Sequence, residues 1–185
     1  MDSIFRKYIE RIQHILSEDF NERKIIEQVS VSTASFLNRP ISLDQKNLKV
    51  PAKGYGRNLL YHDTVFEFVV AAMVWPPKVG TPIHDHGTWG VVGIAEGTLS
   101  ITNYCRDNDS SSLGHASITE LDTFSAGVGD TTHVLPPSED IHKVWNPTTE
   151  QSISIHTYGK KIDRCNIFDV KSRKVEQIEL SYINL

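Results

Sequence analysis

From residue 65 onward the chain is a succession of short apolar or alternating segments, at 65–75, 88–95, 98–104, 117–124, 132–135, 141–145 and 152–158. Gly, Pro, Asn and Asp separate them. Many short strands divided by turn residues can bury their apolar faces only against one another, so this pattern predicts an all-β sandwich or barrel. Residues 167–185 read as one or two further strands or an extended tail, and 103–115, with three consecutive serines, as a mobile hairpin loop. The first forty residues follow another period. Ile4, Phe5, Tyr8, Ile9, Ile12, Ile15 and Leu16 recur at helical spacing, with Asp2 or Ser3 available as N-cap. Asn21 is placed to cap a second helix over 22–37, which ends before Pro40. A short helical cap over 1–40 thus precedes the strands.

At 185 residues the chain suits one domain with a sizeable core, so a single domain over 1–185 is expected. A hydrophobic fraction of 39% and a charged fraction of 23% are near the globular norm and suggest neither a disordered nor a membrane class. The opening Met1-Asp2-Ser3-Ile4-Phe5-Arg6 has no basic stretch followed by an apolar block, which predicts a cytoplasmic protein. Cys105 and Cys165 stand far apart in sequence, as expected of reduced thiols. A net charge of −4 without a long basic tract argues against nucleic acid, and Lys171-Ser172-Arg173-Lys174 reads as a solvated turn or strand end.

The chemistry-bearing motif is His84-Asp85-His86, with His142-Lys143-Val144-Trp145-Asn146 further along. Alternate side chains of a strand share a face, so His84 and His86 can converge while Asp85 points away. H-x-H also occurs by chance on surface strands, and solvated histidines are the alternative. A third imidazole from another strand would fill one face of an octahedron and leave the opposite face free, an arrangement suited to iron(II). His133, near Pro136-Pro137, is the second choice for that third position. Cys105 could serve as a soft ligand, although a lone cysteine at a strand end is more often an apolar filler. His14, His62 and His115 fall on a helix or in polar loops.

The grammar Gly80-x3-His84-x-His86, Gly97, Gly129 and His142-x3-Asn146 resembles the two motifs of the cupin superfamily. No glutamate follows the H-x-H pair at the spacing many cupins use: Gly90 and Val91 stand there, and Glu96 is too close to the turn. Tyr55-Gly56-Arg57-Asn58-Leu59, Ser154-Ile155-His156-Thr157-Tyr158 and Cys165-Asn166-Ile167-Phe168-Asp169 narrow the resemblance to the cysteine dioxygenase family of thiol dioxygenases, bacterial type, over 55–169. The resemblance implies a cupin jelly-roll, or double-stranded β-helix, barrel with one Fe(II) held by His84, His86 and His142. It implies Arg57 and Tyr55 at the substrate carboxylate, Trp75 in the pocket wall, and Ser154, His156 and Tyr158 as a hydrogen-bonded relay. Mammalian members join a cysteine covalently to the active-site tyrosine, but Gly90 stands in its place here, so no thioether is expected on Tyr158. Members that act on 3-mercaptopropionate resemble this chain less at Arg57, where they carry glutamine.

Three neutral imidazoles leave a ferrous ion its full charge, which favours an anionic thiolate over a free thiol of pKa about 8.5. Arg57 offers a planar fork to a carboxylate, the alternative being an ordinary surface salt bridge. His156, Tyr158 and Ser154 fall on one strand face, as a relay or as a satisfied polar core network. The expected reaction adds dioxygen to the sulfur of L-cysteine to give cysteine sulfinate, with a small thiol and dioxygen as partners of a monomer. The rival readings are 3-mercaptopropionate as substrate, a non-catalytic ligand-binding cupin, and a zinc- or manganese-dependent isomerase. Whether Arg164, Lys160 or Lys161 helps to bind substrate is left open by the sequence.

Overall fold

The structure is a computed structural model that describes residues 2–40, 43–44, 48–107, 114–137 and 139–185. Two helices come first, α1 (Ser3–Ser17) and α2 (Glu22–Leu37). Eleven strands follow among the described residues: β1 (Gly56–His62), β2 (Val69–Trp75), β3 (Ile83–His84), β4 (Gly90–Glu96), β5 (Thr98–Arg106), β6 (Ile118–Gly127), β7 (Thr131–Val134), β8 (Ile141–Trp145), β9 (Ser152–Tyr158), β10 (Arg164–Phe168) and β11 (Val175–Glu179). They form two antiparallel sheets, ordered β1-β2-β9-β4-β7 and β11-β10-β3-β8-β5-β6. The jelly-roll barrel with a helical N-terminus is therefore present.

The first sheet is covered on both faces, which explains why β2 and β9 are buried along their whole length. Val69, Ala71, Met73 and Trp75 of β2 point between the sheets, where they meet Leu99, Ile101 and Val144 of the second sheet. Val70 and Ala72 point the other way and pack with Ile9, Ile12, Val29 and Phe36 of the helices. Gly93 permits that close approach, since a Cβ there would lie 2.5 Å from Leu37 Cδ1 and 2.6 Å from Thr33 Cγ2. The cap is also bonded to the strand beneath it. Buried Tyr8 of α1 places its hydroxyl 2.8 Å from Thr33 Oγ1 and 2.6 Å from Thr157 Oγ1 of β9.

Several boundaries differ from the sequence reading. The Asn21 side chain caps α2 by accepting from Lys24 N–H at 2.9 Å, whereas the Asp2 side chain makes no capping bond on α1. The segment expected to begin at 65 becomes a strand only at Val69, because the Asp63 carboxylate accepts from the N–H groups of Val65 and Phe66 and holds a turn there. Strand β1, read from sequence only as a motif, contains His62 as its last residue. The loop expected over 103–115 starts later, since β5 continues to Arg106, and 108–113 lie outside the described residues. No helix among the described residues is long and apolar enough to cross a membrane.

Candidate metal centre and substrate cavity

Antiparallel pairing of β3 with β8 sets His84 directly opposite His142. His86 lies just beyond the end of the two-residue strand β3. Its ring is oriented by a hydrogen bond between Nδ1 and the Asp140 carbonyl oxygen, at 2.9 Å. Asp85 turns away, as its position between the two histidines predicts, and its carboxylate accepts from the backbone and side-chain N–H groups of Asn166 in β10. The ring centroids of His84, His86 and His142 stand 4.7 to 4.8 Å apart, and one ligating atom from each lies within 4.8 Å of the others. These rings share one focus.

The donor set fits a divalent metal. Carbonyl oxygens can only accept, so the contacts of His84 Nδ1 with Pro82 O (3.1 Å) and of His86 Nδ1 with Asp140 O place a proton on each Nδ1. Each Nε2 is thereby left as a bare donor, the usual device for fixing the tautomer of a metal-binding imidazole. Burial pushes the pKa of all three rings down, that of His84 to about 4, so they are uncharged at neutral pH. His133 is not among them. It is exposed on β7 and faces Glu139 at 3.4 Å. His14 faces Glu18 on α1, and Cys105 is a half-buried free thiol on β5.

Beside the triad lies a cavity of about 40 Å³ whose wall includes Tyr55, Arg57, Trp75, His156, Tyr158 and Cys165. A space of this size takes a ligand of a few heavy atoms. All the expected site residues contribute to it except Ser154, which stands behind the wall and holds it. The Trp75 indole, which can only donate, gives its Nε1–H to Ser154 Oγ at 2.8 Å. Ser154 Oγ lies 2.7 Å from His156 Nε2, and His156 Nδ1 lies 2.8 Å from Tyr158 Oη. Trp75 cannot accept and His156 Nε2 is the other partner of the Ser154 hydroxyl, so the arrangement that satisfies every proton has the Ser154 O–H donating to His156 Nε2 and the His156 Nδ1–H to Tyr158 Oη, which leaves the phenol proton to donate into the cavity. Burial, followed by the nearby Arg57 charge, lowers the His156 pKa to about 3. Burial raises that of Tyr158 despite Arg57. The relay is therefore neutral at physiological pH.

Arg57 comes from β1, opposite Met73 of β2. It is 8% exposed, its Nη2 donates to the Ile162 carbonyl at 3.1 Å, and its Nη1 is buried with no partner among the described residues. Tyr55 stacks on Trp75, with ring centroids 4.6 Å apart. Gly90 faces Tyr158 across the β4–β9 pair, and a Cβ there would stand 2.5 Å from Tyr158 Cδ1. Glycine thus gives the ring its place and offers no sulfur for a thioether. Lys160, Lys161 and Arg164 line a neighbouring groove and not this cavity. Sequence reasoning missed Ile162, Ile178 and Leu180, which also wall the cavity. Only the inward alternation of Ile178 and Leu180 hinted at a role.

A jelly-roll barrel holding three converging neutral imidazoles defines a cupin-type metal site. Residues 7–171 match the family model described as cysteine dioxygenase type I, so the chain belongs to that family and with it to the iron-dependent dioxygenases. Among solved structures it is similar to an acetylacetone dioxygenase from Acinetobacter johnsonii, at 15% identity and a TM-score of 0.47 over 77% of this chain and 85% of the other. The Schizosaccharomyces pombe Cnp3 cupin domain matches at 12% identity and a TM-score of 0.47, covering 66% of this chain and 76% of that one. A Cupin 2 conserved barrel domain protein from Salinispora arenicola matches at 19% identity and a TM-score of 0.41, covering 65% and 87%.

Proposed function

We propose that the chain is a cysteine dioxygenase: it holds iron(II) at His84, His86 and His142 and adds both atoms of dioxygen to the sulfur of L-cysteine, giving cysteine sulfinate. The observation that carries the substrate reading is Arg57 Nη1, a buried cationic donor without a partner among the described residues, in the wall of a small cavity that also borders the triad. An unpaired buried donor is costly, and a ligand carboxylate is the group that removes the cost. Bound iron(II) would supply the redox chemistry with dioxygen and a positive charge that favours the thiolate.

The protein's own groups do the rest. Arg57 binds the carboxylate and so orients the thiol, which removes the entropy of encounter from the chemical step. The Tyr158 hydroxyl, turned by the relay, donates a hydrogen bond at the reacting end of the cavity. Tyr55, Trp75 and Met73 exclude water. Catalysis is read in this way as the work of one small thiol and dioxygen on a cytoplasmic monomer.

Oxygen uptake by iron-reconstituted protein, measured with a panel of small thiols and with mass detection of the product, tests the proposal. L-Cysteine should be consumed with one dioxygen per sulfinate formed. Turnover confined to 3-mercaptopropionate would move the assignment to that thiol, and no uptake with any thiol would refute catalysis. Elemental analysis of protein purified without added metal should find iron, and zinc or manganese in its place would overturn the metal assignment.

A further inference from the structure

Beyond β11 the segment 180–185 returns across β1. Leu180 N–H donates to the Asp163 carbonyl at 2.7 Å and Ile183 N–H to the Arg57 carbonyl at 2.8 Å. The Asn184 amide then clasps Leu59 twice, its Oδ1 accepting from Leu59 N–H at 2.8 Å and its Nδ2 donating to Leu59 O at 2.9 Å. Alternate residues of this stretch face inward: Ile178 and Leu180 wall the cavity, and Tyr182, next in the alternation, is 4% exposed. Its ring lies against the Arg57 guanidinium, with Cζ 4.8 Å from the ring centroid. Only two buried side-chain polar atoms lack a partner among the described residues, and they belong to this touching pair: Arg57 Nη1 and the Tyr182 hydroxyl. The family match ends at residue 171, so Tyr182 lies outside it.

We propose that Tyr182 is a substrate-positioning residue, whose ring holds the Arg57 guanidinium in place and whose hydroxyl shares the substrate's carboxylate with Arg57 Nη1. Burying an orphaned donor is costly, and two on neighbouring side chains are hard to account for unless one group meets both. A carboxylate has two oxygens and accepts on each. The cation–π contact contributes separately, by keeping the guanidinium plane fixed before the substrate arrives. This inference rests on the reading of Arg57 as the carboxylate partner.

The test compares Tyr182→Phe, which keeps the ring, with Tyr182→Leu, which loses it. Steady-state rates are measured with L-cysteine, 3-mercaptopropionate and cysteamine, the last a thiol and amine without a carboxylate. Anaerobic calorimetric titration of L-cysteine into metal-loaded protein gives binding independently of turnover. Tyr182→Phe should raise KM and Kd for the carboxylate-bearing thiols about 3- to 10-fold, the loss of one hydrogen bond, with kcat within about twofold. Tyr182→Leu should raise them further. Cysteamine kinetics and iron content should not change in either. Wild-type affinity for L-cysteine in Tyr182→Phe would overturn the inference, as would an equal loss for all three thiols. Arg57→Gln separates the two failures: if it leaves L-cysteine affinity intact, the carboxylate reading itself falls, and if it alone weakens binding, only the role of Tyr182 falls.

Discussion

Arg57 carries its charge on a short strand and has one guanidinium nitrogen already engaged by Ile162, so the freedom that remains to it is small. Such preorganisation makes a charge-assisted bond to a carboxylate worth about 1.5–3 kcal/mol, and Arg57→Gln should therefore raise KM for L-cysteine roughly 10- to 100-fold. Iron content, measured by elemental analysis, should stay at the wild-type value. Tyr158 has a different role. In the arrangement that satisfies every proton of the relay, its oxygen accepts from His156 Nδ1 and its own proton is left to donate into the cavity. Tyr158→Phe should lower kcat by on the order of 10²-fold, the scale of losing one positioned donor, while KM changes little. Steady-state oxygen uptake distinguishes the two patterns. At this scale sequence was a good guide. The shared face of His84 and His86 and the line through Ser154, His156 and Tyr158 follow from residue type and a period of two, and the resemblance added His142, but the support of that line by Trp75 needed the 2.8 Å contact that only the fold brings about.

The helical cap does more than cover apolar surface. Tyr8 bonds Thr157, which lies between His156 and Tyr158 on β9, so α1 is tied to the back of the strand that carries the relay. Tyr8→Phe leaves the hydroxyls of Thr33 and Thr157 without that partner in a buried place, which costs about 1–3 kcal/mol. For a protein of this length the melting temperature should fall by roughly 2–10 °C, read by calorimetry, with iron content unchanged. Elements with their own signal were legible: the unbroken apolar run of β2, the alternation of β9, and the helical period of α1. Strand β1 was not, because its sequence Gly-Arg-Asn-Leu-Leu-Tyr-His lacks a clear period and distant groups complete its hydrogen bonding. Asn58 pairs with the backbone of Lys49, and Asn184 with that of Leu59.

Over the whole molecule, the barrel confines an ionisable network that must stay neutral to fit. Burial and Arg57 depress the pKa of His156 from 6.5 to about 3, so the folded protein binds that proton less readily than the unfolded chain. The associated stability is complete above pH 6.5 and is lost as pH falls toward about 3. Metal-free protein should therefore melt at steadily lower temperature from pH 6.5 downward, and His156→Gln should flatten part of that slope. A melting series between pH 4 and 8 measures both. The amino-acid sequence on its own determined the class of fold, the cap, and the shared face of His84 and His86, because strand and helix periods and H-x-H spacing are local properties that neighbouring residues impose. Tertiary structure alone decided that Arg57, the triad and Leu180 surround one cavity, with Tyr182 packed against Arg57. These groups come from strands and a segment far apart in the chain, and only the closing of two sheets on each other brings them within reach.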